Sequence, residues 1–231
     1  SIKLKGSANS FLGFGGAVSA SLSSIGSATT FFSSNTAGFG GAVHLDRTEL
    51  SVNATVFHNN LANNSADASH ASGSGGAIFC DSCGTLHIGK QSSFTNNVAT
   101  GSGGALALNV TSLEPASVLQ HSQFSRNVAS EFGGAIFLQF FYPLDSVKNK
   151  STGSASKSSS KETVETDYRA TQGHLQEFVI ASCSFTENGA KQAGGALFFS
   201  EALSPLAPAG KTRVSKLVIS GPRPKITANS V

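Results

Sequence analysis

Two short motifs alternate along this chain in a fixed order, and no other feature restricts its fold as much. Gly-Gly-Ala followed by an aliphatic residue occurs six times: Gly15-Gly16-Ala17-Val18, Gly40-Gly41-Ala42-Val43, Gly75-Gly76-Ala77-Ile78, Gly103-Gly104-Ala105-Leu106, Gly133-Gly134-Ala135-Ile136 and Gly194-Gly195-Ala196-Leu197. Phe-x-x-Asn occurs five times, at Phe32 and Asn35, Phe57 and Asn60, Phe94 and Asn97, Phe124 and Asn127, and Phe185 and Asn188. Each motif Asn is followed two residues later by Ala. The step from the motif Asn to the next Gly-Gly is 5, 15, 6, 6 and 6 residues, and from Gly-Gly to the next motif Phe it is 17, 17, 19, 21 and 52. Such self-similarity marks a solenoid in which each repeat buries its apolar face against its neighbours.

The spacing tolerates two insertions, Leu61–Gly73 (with His70) and a long one over residues 142–176. Half-repeats stand at both ends, Asn9 before Gly15 and Ile226-Thr227-Ala228-Asn229 in the Phe-x-x-Asn slot. No Met opens the chain, so residues 1–231 are expected to be one β-helical stretch of a longer protein.

The pattern inside each repeat has the period of a strand. The residues three and five past the first Gly are apolar or small, Val43 and Leu45 or Ile136 and Leu138 among them, and one face of a strand carries them. The residue between them varies: Ser19, His44, Phe79, Ala107, Phe137 and Phe198. The first set is read as inward and the second as outward, which makes Phe79, Phe137 and Phe198 a candidate outward apolar stripe. Two residues before the motif Phe the side chain is always small: Thr30, Thr55, Ser92, Ser122 or Cys183. Helical spacing is absent, and a Gly pair inside a helix would cost about 1 kcal/mol per Gly. Charged residues are 13% of the chain against roughly 25% in ordinary soluble domains, too few for the wet faces of amphipathic helices. A net charge of +3 is too small to point to nucleic acid.

The fold class expected is therefore all-β, a right-handed parallel β-helix (solenoid) of about seven coils with one long loop insertion. Stacking at about 4.8 Å per coil gives a rod roughly 30 Å long. In it the Gly pair permits a positive φ or a close backbone approach at a corner, the Phe residues stack inside, and the Asn amides link one coil to the next.

Gly-Gly-Ala-(Ile/Leu/Val) alternating with Phe-x-x-Asn resembles the polymorphic outer membrane proteins of chlamydiae over nearly the whole chain. The resemblance implies a type V autotransporter, with a secreted β-helical passenger at the bacterial cell surface and a membrane barrel outside this stretch. It implies an adhesin that engages a host cell-surface receptor protein, with the tetrads quoted above implicated in adhesion. It does not extend over the Ser- and Lys-rich segment between Ala135 and Phe185. The residues themselves leave a second role open for the tetrads, which is to fold the coil. They also leave open a stalk that binds nothing directly. Self-association through the end coils is a further expectation.

An enzyme is a weaker reading. β-Helical polysaccharide-degrading enzymes need carboxylates or Arg clustered on one outer face. Here Asp145, Glu162, Glu165 and Asp167 fall in or beside the long insertion and the rest are scattered. No cofactor or metal is expected. Cys80-Asp-Ser-Cys83 lacks the βαβ context of a redox motif and the further ligands of a zinc site. Cys80 and Cys183 fit small buried slots, and a Cys80–Cys83 disulfide is the alternative in an exported protein. Segment Ser146–Lys161, with Lys148, Lys150, Lys157 and Lys161, reads as a polar surface loop, with proteolytic processing or anionic glycan contact as sharper alternatives.

Overall fold

The computed structural model describes residues 3–4, 14–22, 24–63, 73–110, 117–141, 177–202, 216–220 and 225–231, and they contain strands and no helix. The chain winds as a parallel β-helix. A complete coil is Val43–Asp46, Glu49–Asn53, Val56–His58 and Leu61–Ala62. Equivalent strands of successive coils pair in parallel and in chain order, which builds four sheets of six, six, seven and five strands among the described residues. We name them by what they carry. The Gly-Gly-Ala sheet begins at Val18–Ser21 and the second sheet at Ser24–Ala28. The Phe sheet runs from Lys3–Leu4 to Lys225–Thr227, and the Ala sheet begins at Thr36–Ala37.

Register is what turns the repeat into a core. Val43 pairs with Ile78, Ile78 with Leu106, and Leu106 with Ile136. Phe57 pairs with Phe94 and Phe94 with Phe124. Each inward residue thus sits over its equivalent, and the ladders fuse into one apolar column containing Leu45, Leu50, Val52, Ile88, Leu108, Phe178 and Ile180. The second sheet contributes through alternation: Leu50 and Val52 are buried while Glu49 and Ser51 are exposed.

Corners need left-handed backbone. The third residue of Phe-x-x-Asn has positive φ in every coil: Ser34, Asn59, Asn96, Arg126, Glu187 and Ala228, all between 50° and 56°. None of these is glycine, so each turn carries a conformational cost of roughly 1 kcal/mol. The next residue, the motif Asn, offsets that cost with the bonds described below.

The first insertion is shorter than its spacing suggested. Leu61–Ala62 is a strand of the Ala sheet, and Gly73 is already back in place, its N–H donating to Gly38 O at 2.8 Å. His70 lies outside the described residues. So do residues 142–176 and the processing and glycan-contact readings attached to them.

Candidate interaction surface

The tetrads occupy the interior. Phe32, Phe57, Phe94, Phe124 and Phe185 are all buried and form one stack, with centroids 4.8, 4.8, 4.7 and 5.0 Å apart and rings within 13° of parallel. That spacing is the coil repeat itself, so the backbone sets the ring distance.

Asn35, Asn60, Asn97, Asn127 and Asn188 are essentially inaccessible, and they form a continuous amide ladder. Asn97 illustrates it. Its Nδ2 donates to Asn127 Oδ1 at 3.0 Å and to Phe57 O at 3.1 Å. Its Oδ1 accepts from the Asn60 Nδ2 at 2.9 Å and the Asn60 backbone N–H at 3.1 Å. Asn229 continues the ladder, its Oδ1 accepting from Asn188 Nδ2 at 3.1 Å. Asp would bring buried like charges into contact, and Gln would overshoot the turn, so only this amide at this length serves.

The two glycines of each pair have different jobs. The first takes the left-handed corner: φ is 57° at Gly40 and 69° at Gly103. The second has ordinary φ but lies against the neighbouring coil. A Cβ on Gly104 would collide with the carbonyl of Gly134 and sit 2.6 Å from Val128 N. The following Ala42, Ala77, Ala105 and Ala135 are fully buried. The aliphatic Val43, Ile78, Leu106 and Ile136 are buried too, while Val18 and Leu197, in the first and last coils of this sheet, pack partly buried against the core.

The outward slot does not form one stripe. Phe79 is only 6% exposed, its ring 5.1 Å from Phe39 and 5.6 Å from His44. Ala107 follows it in register and interrupts the aromatic column. Phe137 and Phe198 stack at 5.7 Å, both half-buried, and Phe132 packs 4.6 Å from Phe198. Among the described residues this face thus carries two aromatic groups: Phe14, Phe39, His44 and Phe79 toward the first coils, and Phe132, Phe137 and Phe198 toward the last. Phe14, Phe39 and Phe132 were not among the expected residues. Their signal is plain in hindsight, since each immediately precedes a Gly pair.

His44 sits in the first group at 9% exposure, 4.6 Å from Phe14 by ring centroids, and its Nδ1 has no hydrogen-bond partner. Burial pulls its pKa below the usual imidazole value, against the opposing pull of Asp46 and Asp81. Asp46 lies at the exposed end of the same strand. Hydrogen bonds from Arg47 at 3.2 Å and from Ser21 at 2.8 Å hold its carboxyl below the usual range.

Cys80 and Cys83 form a disulfide, and both are buried. The bridge spans an irregularity where the register of Ile78–Cys83 shifts against the next coil. Cys183 is a free buried thiol whose pKa burial raises, and its Sγ donates to Ala181 O at 3.5 Å. Among the described residues no group of three or more His, Cys, Asp or Glu side chains could hold a metal ion, and no helix is long and apolar enough to cross a membrane.

The repeat family described as Chlamydia polymorphic membrane protein repeat matches this chain at residues 54–81, 91–109 and 121–139. These matches cover Gly-Gly-Ala and Phe-x-x-Asn units of the three central coils. No curated protein and no solved structure matches the chain.

Proposed function

This chain belongs, through its repeats, to the chlamydial polymorphic membrane protein family, and from that membership we propose that it is part of an autotransporter passenger displayed at the bacterial surface, where it attaches the bacterium to host cells. The observation that carries this reading is the division of labour between the two faces of the coil. The family's recurring residues are consumed by the interior, and the exterior keeps a half-buried aromatic group, Phe132, Phe137 and Phe198. Clustered apolar side chains on an outer face are a usual mark of a protein contact. The tetrads act in attachment by holding that face in shape, so altering them removes binding by disordering the coil. We extend the same proposal to secretion by a type V route and tethering by a barrel.

Beads coated with the purified chain should adhere to epithelial cells. A variant with Phe132, Phe137 and Phe198 all changed to Ser should keep its unfolding transition and lose most of that adherence. Undiminished adherence by the folded variant would reject this face. A stalk that lifts a distal binding domain is the competing reading, favoured by the burial of every central tetrad, and beads of the unaltered chain that fail to adhere would reject direct attachment by this stretch and leave the stalk standing.

A further inference from the structure

On the side of the coil where the second sheet turns into the Phe sheet, the third complete coil departs from its neighbours. Gly89 is level with Asn53 and Ser93 with Val56. This coil therefore uses Lys90, Gln91 and Ser92 at a corner that takes only Ala54 and Thr55 in the coil before. The following coils return to two residues, His121 and Ser122 against Ser182 and Cys183. Lys90 and Gln91, at φ 48° and 64°, are the only two successive non-glycine residues in the left-handed region among those described. One left-handed residue at this corner is shared with Ala54, His121 and Ser182, at φ 47°, 48° and 53°, so the second one, at Gln91, is what sets this coil apart.

A groove of about 540 Å³ lies at this corner, lined by Lys90, Gln91, His121, Gln123, Ser182 and Ser184. Ser122 also lines it, but its hydroxyl is used, donating to Gln120 O at 2.9 Å. The other six side chains make no hydrogen bond or ion pair with any described residue. Among the described residues, no carboxylate and no large apolar side chain is in the lining. The groove crosses three coils, about 10 Å along the axis, a length suited to a short stretch of sugar chain. An extended peptide finds no backbone ladder here, because the N–H groups of Gln91, His121 and Ser182 already donate to His121 O, Ala181 O and Ser220 O.

We infer that this groove is a binding site for an acidic saccharide, a sugar chain bearing sulfate or carboxylate groups. Lys90 Nζ supplies the charge for the anionic group with the His121 ring beside it. The Gln91 and Gln123 amides and the Ser182 and Ser184 hydroxyls serve the sugar hydroxyls. The inference extends the attachment reading by naming a ligand class. Its test uses purified chain and purified saccharide, so its failure leaves cell adherence to be judged separately.

The test is fluorescence anisotropy with a labelled heparin tetrasaccharide, and maltotetraose as the neutral probe. The chain should hold the first and ignore the second. Lys90→Glu should weaken binding about tenfold, the loss of one charged hydrogen bond, with the melting temperature unchanged. Deleting Gln91, which restores the two-residue corner, should do the same if the variant folds, and Lys90→Glu decides the matter if it does not. Equal affinity of Lys90→Glu and the parent chain would overturn the site and assign the binding to other lysines. Absence of binding by the parent chain, or equal binding of maltotetraose, would overturn it as well.

Discussion

At the scale of single residues, Asn97 and His44 represent the two ways a polar group is treated inside this coil. Asn97 is fully used: two donated and two accepted bonds tie three successive coils together. Asn97→Ala strands the Asn60 amide, the Phe57 carbonyl and the Asn127 side chain in a buried site. Unsatisfied buried groups cost about 1–3 kcal/mol each before relaxation, so urea unfolding should show a loss of about 3 kcal/mol or more. His44 is the opposite case, buried with an unpartnered Nδ1. Its pKa is lowered on folding, so the unfolded chain binds the proton more readily. The stability that a neutral His44 contributes is complete above the unfolded value of about 6.5 and is lost as pH falls from there through the folded value. Melting temperature should therefore drop between pH 7 and pH 5. His44→Phe, which places in this slot the residue that Phe79, Phe137 and Phe198 already supply, should flatten that part of the curve.

At the scale of elements, the Gly-Gly corner separates conformational from steric need. Gly104 has no special φ, yet a Cβ there meets the backbone of two other segments. Gly26 lies at an exposed strand position, where an added methyl would meet nothing within 4 Å. Gly104→Ala should cost several kcal/mol, because backbone and not side chain must move. Gly26→Ala should be neutral or stabilise by about 0.5 kcal/mol through the unfolded state. Thermal unfolding of the two variants side by side checks both. The Gly-Gly-Ala and Phe strands were legible in the sequence because their motifs are invariant. The second sheet was not. Its alternation of Leu50 and Val52, Leu86 and Ile88, Phe178 and Ile180 is regular, but its distance from Gly-Gly drifts. Between Asp46 and Leu50 the chain places three residues, and between their partners Asp81 and Leu86 it places four. A further residue enters at Lys90–Gln91. The step of 19 in place of 17 from Gly75 to Phe94 recorded both events, but a total spacing cannot say where an extra residue sits.

At the scale of the whole molecule, low charge, excess glycine and repeated Phe have one cause, which is stacking. Each coil contacts its neighbours through the same ladders, so stability accumulates along the axis. The interior was legible in this way, whereas the exterior was not. Whether Phe79 meets solvent depends on Phe39 and His44 from adjoining positions, and a groove made of Lys, Gln, His and Ser has no motif to announce it. Recurrence reports what the coil needs in order to form. On the proposed reading, recognition falls to residues that differ from coil to coil, where a single sequence carries little signal.

The repeats stack in register into a rod, with the tetrads as its interior. Spin labels at Ser33→Cys and Thr227→Cys, in a Cys183→Ser background, test that stacking most directly. These positions are five coil steps apart on the Phe sheet, through His58, Thr95, Ser125 and Thr186. At about 4.8 Å per step double electron–electron resonance should give one narrow distance near 24 Å. A broad distribution, or a distance beyond about 40 Å, is incompatible with in-register stacking at that step and would show that the coils are not stacked in this way.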